Sequence, residues 1–181
     1  MLILASCKKE TENKTELPKS DFNLKTDLTD FKKKMTDLDT IIVLFDHSAC
    51  DYEGYEEIEI TKLSDSIKVK SKFQDLNNDL KWSLVYEKKM SKNDTIWDFE
   101  NFIKRNGKRK LKDLNNREIL TAINKKDTIR FYVNNLGDLN HFLEDYFLTM
   151  RKLYPENKNG IYGFDNSEIK NKIDAEIKET E

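Results

Sequence analysis

The chain has 181 residues, with 32 Lys and Arg against 34 Asp and Glu, a formal charge of −2. That balance argues against a domain built around nucleic acid, which carries a strongly basic surface. No apolar run approaches the roughly 20 residues of a membrane-spanning helix. Charged residues make up 36% and hydrophobic residues 37% of the chain, polar for a globule, but 10 Phe, 7 Tyr and 2 Trp supply core-forming area.

The chain opens MLILASC and then turns charged. Leu4-Ala5-Ser6-Cys7 resembles the lipobox of bacterial lipoproteins, a Leu followed by two small residues and a Cys. In that family the cysteine thiol carries a diacylglyceryl group and the signal peptide is cut just before it. The resemblance implies lipid attachment at Cys7, residues 1–6 as the remnant of a signal peptide, and anchorage to a bilayer at about 0.8 kcal/mol per buried methylene. A full signal peptide has a basic start and an apolar stretch of about 7–15 residues. Here no Lys or Arg precedes the box, so either the true start lies upstream or the match is chance.

Lys8 to Lys19 holds one Leu, no aromatic residue and both signs of charge. Such a stretch buries too little apolar surface to offset ordering entropy, so residues 7–20 are expected to form a disordered tether spanning on the order of 20 Å. Lys8-Lys9-Glu10 also resembles the charged signals that send some lipoproteins to the outer membrane. The expected location is the bacterial cell envelope, lipid-anchored at the outer membrane, on its periplasmic or surface face.

About 160 residues remain, the size of one domain. Leu28, Phe31, Met35 and Leu38 recur at helical spacing, with Thr26 or Asp27 as the cap. Thr40 to Phe45 is apolar on both faces, which predicts a central strand. Ile58 and Ile60, then Ile67, Val69 and Phe73, alternate with charged residues, which predicts a hairpin turning at Ser64-Asp65. Its register sets Ile60 opposite Val69, Glu59 opposite Lys70 and Glu57 opposite Lys72, so that one face buries aliphatics and the other pairs charges.

Trp82 to Tyr86 reads as a further strand. A helix from Asp94 or Thr95 carries Ile96, Phe99, Phe102 and Ile103, and Gly107 is placed to end it. Ile119 to Ile123 and Ile129 to Val133 predict a second hairpin, turning at Lys125-Lys126-Asp127. The long helix after Asp138 repeats Leu139, Phe142, Leu143, Tyr146, Phe147, Met150, Leu153 and Tyr154 at three and four, a broad face that must pack on a sheet. Residues 166–181 carry Ile169, Ile173 and Ile177 at four-residue spacing, a narrow stripe suited to an amphipathic helix lying on the domain or on a partner.

The sum is an α+β fold, an antiparallel sheet of about five or six strands packed against two or three helices. A single domain over residues 21–165 is expected, followed by the terminal helix.

The densest group of chemically able residues is Asp46-His47-Ser48-Ala49-Cys50-Asp51, where a strand runs into a loop. One reading is a ligand or metal site using Asp46, His47, Cys50 and the distant His141, or a Cys–His nucleophile. The other is a small buried thiol beside a polar turn. A structural zinc site wants paired ligands, and here there are none, so neither metal nor cofactor is expected. With Cys7 acylated, Cys50 has no disulfide partner. Ala49 to Gly54 also resembles an uncharacterised lipoprotein domain family in which a first strand enters a Cys-x-x-x-Cys-Pro turn. This chain keeps the first cysteine, has Gly54 in place of the second, and lacks the proline.

Lys104, Arg105, Lys108, Arg109, Lys110 and Lys112 place six basic residues in nine. They read either as a patch for anionic headgroups or as a solvated turn whose first cations meet a helix C-terminus. No phosphate loop, nucleophile elbow, zinc-protease or dinucleotide motif is present, and no catalytic residue is assigned. The sequence therefore points to a lipid-anchored, non-catalytic binding or scaffold module, held to the membrane by its anchor and open to a protein partner. The alternatives are an immunity-type lipoprotein that neutralises an envelope toxin, or an envelope hydrolase or metalloprotein using His47 and Cys50.

Overall fold

Alternation of side chains along extended backbone sets the architecture. The computed structural model describes residues 19–49, 53–110, 116–158 and 160–163. The strands are β1 (Thr40–Asp46), β2 (Gly54–Leu63), β3 (Ser66–Asp75), β4 (Asp79–Ser91), β5 (Arg117–Asn124) and β6 (Asp127–Val133). They form one antiparallel sheet in the order β4-β3-β2-β1-β5-β6. The helical pieces are α1 (Leu24–Asp27), α2 (Phe31–Lys34), α3 (Phe99–Arg105) and α4 (Leu136–Leu153). The molecule is thus α+β.

The β2–β3 hairpin has the expected register, with Ile60 opposite Val69, Glu59 opposite Lys70 and Glu57 opposite Lys72. Ser64 sits at φ 54° in its two-residue turn. The Lys72 ammonium donates to Glu57 at 2.9 Å. Lys68 instead reaches across to Glu87 of β4 at 3.0 Å. The second hairpin turns on Lys125-Lys126, with Lys125 at φ 53°.

One sheet face, here the inner face, presents Ile41, Val43 and Phe45 of β1, Ile58 and Ile60 of β2, and Ile67, Val69 and Phe73 of β3, all buried. Helix α4 covers it with Leu139, Phe142, Tyr146, Met150 and Leu153. The Tyr146 ring stacks on Phe45. Fully burying one such side chain is worth about 1.5–3 kcal/mol, so this interface dominates the core. Around it Phe31 meets Trp97 and Phe99 edge-on. The buried Lys32 ammonium donates to the carbonyls of Asp94 and Trp97 at 2.8 and 2.9 Å and faces Glu100 at 3.6 Å, tying α2 to the approach to α3.

Several boundaries differ from the sequence expectation, each for a capping reason. The first helix begins at Leu24, because Asn23 accepts from Lys25 N at 2.9 Å and Asp27 accepts from Asn23 N. A 3-10 stretch, Leu28–Asp30, interrupts it. It stops before the exposed Leu38, where buried Asp39 accepts from the Thr36 amide and hydroxyl. Burial alone would raise the Asp39 pKa, but these bonds and those from Ser20 and Lys125 outweigh it and hold the carboxyl below its usual range.

Asp94 accepts from the amides of Ile96 and Trp97 at 3.0 Å, making a local turn that leaves Ile96 exposed and delays α3 to Phe99. Asn106, rather than Gly107, is the C-cap of α3. Helix α4 is capped by Asn135, which accepts from Asp138 N at 2.9 Å, while Asp138 accepts from Asn134 N at 3.0 Å. Asp138 therefore stands inside the first turn, not at the cap. The strand expected at Trp82–Tyr86 runs much longer, through all of β4.

Replacing Asn135 with Ala should cost about 1 kcal/mol of stability, read as a lower urea midpoint with an unchanged slope. Replacement with Ser or Asp should restore most of it.

Candidate functional site

Asp46 and His47 are neighbours in sequence but take opposite faces of the sheet, as residues one apart on extended backbone must. Asp46 points outward and accepts from Arg117 at 2.5 and 3.2 Å. His47 points inward, buried against Phe45, Phe73 and Phe147. His141 is exposed on α4. Cys50, the remaining member of that group, lies outside the described residues, as does Cys7. Among the described residues no three His, Cys, Asp or Glu side chains are arranged to hold a metal ion.

The basic stretch is largely engaged within the domain. Arg105 pairs with Asp145 at 2.6 Å and lies near Asp98; the Asp145 bond holds its pKa above the ordinary value despite partial burial. Arg109 pairs with Asp138 and lies over Phe142, and Lys110 lies over Phe131. Lys104 and Lys108 are exposed. Lys112 lies outside the described residues.

The polar centre of the molecule is Glu56, wholly buried at 0% exposure on the aliphatic face of β2. Its Oε1 accepts from Ser71 Oγ at 2.6 Å and from the Tyr162 hydroxyl at 2.5 Å. Its Oε2 accepts from the Tyr146 hydroxyl at 2.8 Å and faces His47 Nε2 at 3.0 Å. The Tyr162 hydroxyl gives its proton to Glu56, so the Tyr86 hydroxyl, 3.0 Å away, donates to it in turn. Four residues, from β3, α4, the end of β1 and the loop after α4, thus close on one carboxyl of β2, and Tyr86 of β4 joins through Tyr162. Burial, and then the nearby Glu56 charge, pushes the phenols of Tyr86, Tyr146 and Tyr162 well above their ordinary pKa.

Tyr162 is delivered by a tight loop. Asn157 accepts from Tyr162 N at 3.2 Å and donates to Gly163 O at 2.7 Å, with Gly160 at φ 65° and Gly163 at φ 68°. A Cβ on Gly163 would lie 3.3 Å from the Phe147 ring, so both the backbone conformation and the close approach favour glycine there. Beside His47 a cleft of about 500 Å³ opens, lined by Asp75, Ser83, Phe147 and Gly163 among others. Glu56 itself is sealed and acts as a tie between elements, not as a reactive group.

The outer face of the same sheet end is different. A groove of about 300 Å³ is lined by Leu44, Tyr55, Trp82, Glu118 and Thr121 among others. Leu44 and Tyr55 are each 38% exposed and Trp82 is 43% exposed, with Leu84 more exposed still. β1 is central in the sheet, as its apolar run predicts, yet Leu44 stays partly exposed because nothing described covers this side of the strand. A bulge between Glu118 and Leu120 kinks β5 at the groove wall and brings both Ile119 and Leu120 into burial. Polar groups flank the apolar floor: the Asp46–Arg117 pair, and Glu118, which binds Arg130 at 3.1 Å.

Each outward residue of the groove is the chain neighbour of an inward one. Tyr55 precedes Glu56, Asp46 precedes His47, and Trp82 precedes Ser83. The buried network therefore fixes the backbone that aims the groove. No family model matches this chain, and neither a curated protein nor a solved structure matches it.

Glu56→Gln should destabilise the fold by about 3 kcal/mol, because an amide turns a donor toward hydroxyls that donate. Urea unfolding measures this. The three raised phenols predict a pH effect whose sign is fixed. Their stabilising contribution is complete below the unfolded tyrosine pKa of about 10 and is lost as pH rises beyond it. Titration followed at the phenolate absorption band should show Tyr86, Tyr146 and Tyr162 ionising only together with unfolding.

Proposed function

We propose that this chain is a lipid-anchored protein of the bacterial cell envelope and that its folded unit is a non-catalytic binding or scaffold module. The outer sheet face receives the ligand. One observation carries this reading: Leu44, Tyr55 and Trp82 stand half-exposed around a groove on a sheet whose other face packs the core. Ligand sites are concave and mainly apolar, with a few polar groups that set orientation. The flanking Asp46–Arg117 and Glu118–Arg130 pairs supply those groups. A binding role is favoured over a hydrolytic one because His47 is turned away from solvent toward Glu56, with a side chain only 2% exposed. Anchorage rests on the likeness of Leu4-Ala5-Ser6-Cys7 to a lipobox. No described helix is long and apolar enough to cross a membrane.

Two measurements test the two halves. Expressed in a bacterial host behind a complete signal peptide, the protein should partition into detergent with a diacylglyceryl mass on Cys7, and Cys7→Ser should move it to the aqueous phase. Titrated with anilinonaphthalene sulfonate as an apolar probe, the folded protein should bind saturably. Leu44→Asp and Trp82→Ala should each weaken that binding about tenfold while leaving far-ultraviolet circular dichroism unchanged. Equal binding by all three forms would place the ligand elsewhere.

A further inference from the structure

We infer that the outer groove is built for a neutral oligosaccharide, with pyranose rings stacked on Tyr55 and Trp82 and their hydroxyls bonded by the Asp46–Arg117 and Glu118–Arg130 pairs. This rests on the reading of the outer face as the binding face and names the class of ligand it takes.

The two rings are kept free. Core rings pair with one another, as Phe45 does with Tyr146 and Trp97 with Phe99. Tyr55 and Trp82 pair with no other ring among the described residues, and they are 38% and 43% exposed. Their faces are therefore open to a ligand.

The backbone aims one of them. Between the pairs Phe73–Ser83 and Asp75–Asp79, the stretch Leu80 to Trp82 of β4 stands opposite the single Gln74 of β3. Gln74 Nε2 donates to the Leu80 carbonyl at 2.5 Å and so holds the irregularity in place. A bulge re-aims the side chains it carries, and here Trp82 lines a groove shared with residues of β1, β2 and β5. Tyr55 and Trp82 stand on strands two spacings apart, about 10 Å between backbones. They offer platforms to successive parts of an extended ligand.

The flanks carry their charge in pairs. Arg117 binds Asp46, whose other oxygen accepts from the Ser48 amide at 2.9 Å. Arg130 binds Glu118 at 3.1 Å, and the Thr121 hydroxyl donates to the same carboxyl. A charged ligand finds no uncompensated counter-charge in these pairs. A hydroxyl suits them, because it donates to a carboxylate and accepts from a guanidinium at once. The Arg117 and Arg130 side chains are 39% and 49% exposed, so their remaining N–H groups stay accessible. A pyranose joins an apolar ring face to a rim of such hydroxyls.

Rival ligands fit less well. An acyl chain would leave both ion pairs against hydrocarbon, with the desolvation penalty that follows. An extended peptide binds by pairing its backbone with a free strand edge. The groove instead lies over β1, β2 and β5, internal strands whose backbones are already paired. Its volume of about 300 Å³ stands at the lower end for ligand sites, the scale of a short oligosaccharide.

Isothermal titration calorimetry of the full chain tests this, using a panel of neutral trisaccharides of glucose, mannose, galactose and N-acetylglucosamine. At least one should bind saturably at millimolar concentration or below. Trp82→Phe should hold that affinity within about threefold, whereas Trp82→Leu, which keeps apolar area but offers no ring face, should weaken it about tenfold. Arg130→Ala should weaken it about tenfold by removing a charged donor. Far-ultraviolet circular dichroism should be the same in all these forms. Binding should also shift tryptophan emission to shorter wavelength through Trp82, since Trp97 is only 1% exposed. No saturable binding by any member of the panel would overturn the inference. Equal affinity in Trp82→Phe and Trp82→Leu would do so too.

The anilinonaphthalene sulfonate probe separates this failure from failure of the groove itself. If probe binding depends on Leu44 and Trp82 but no sugar binds, the groove stands and the oligosaccharide falls. If a sugar binds with no response to Trp82→Leu or Tyr55→Ala, its site lies elsewhere and the inference falls. Unchanged probe binding in Leu44→Asp and Trp82→Ala would remove the groove reading on which it rests.

Discussion

A carboxylate removed from water must find donors for both oxygens or destabilise the fold by several kcal/mol. Glu56 meets that demand with Ser71 and Tyr162 on one oxygen and Tyr146 and His47 on the other. Those partners come from elements distant in sequence, so the demand can be met only when the sheet, α4 and the following loop are all in place. A fully satisfied polar network of this kind favours one arrangement over its near neighbours. A one-residue slip of β2 would send Glu56 to solvent and Tyr55 into the core.

The same constraint explains why the two faces of one sheet end have such different characters. Inside, rings and hydroxyls close around the carboxyl and leave it inaccessible. Outside, the residues that alternate with them, Tyr55, Trp82 and Asp46, are held on a backbone whose position the inner contacts have fixed. A preorganised surface loses less freedom on binding than a mobile one. That is consistent with the binding role proposed for the outer face.

Much of the fold was legible because two constraints coincided. In the β2–β3 hairpin the aliphatic alternation and the Glu–Lys alternation demanded the same register. Helix starts were less legible, since Asn23 and Asn135 compete as caps with Thr26, Asp27 and Asp138 a few residues on, and only the hydrogen bonds distinguish them. The buried network had a signal that went unread. Glu56 shares parity with Ile58 and Ile60, Ser71 with Val69 and Phe73, and His47 with Val43 and Phe45, which places three polar residues on a core face. Tyr146 stood within the apolar stripe of α4, where its hydroxyl carried no separate signal. The groove was less legible still. Register shifts between Ser71 and Lys72 and between Phe73 and Asp75 break the parity of β4 against β3, so period-two reasoning cannot assign Trp82 and Leu84 to a face. The run Ile41 to Phe45 looks equally apolar on both sides, although one side is open.

The tie between the carboxyl and the loop after α4 is most directly measured by a double-mutant cycle of Glu56→Gln with Tyr162→Phe in urea unfolding. Because the two side chains share one bond inside one network, their effects should fail to add by about 1 kcal/mol or more, within the 0.5–3 kcal/mol range of coupled neighbours. Additivity to within about 0.3 kcal/mol would mean that Tyr162 does not depend on Glu56, and the carboxyl would lose its place as the centre on which the sheet end is organised.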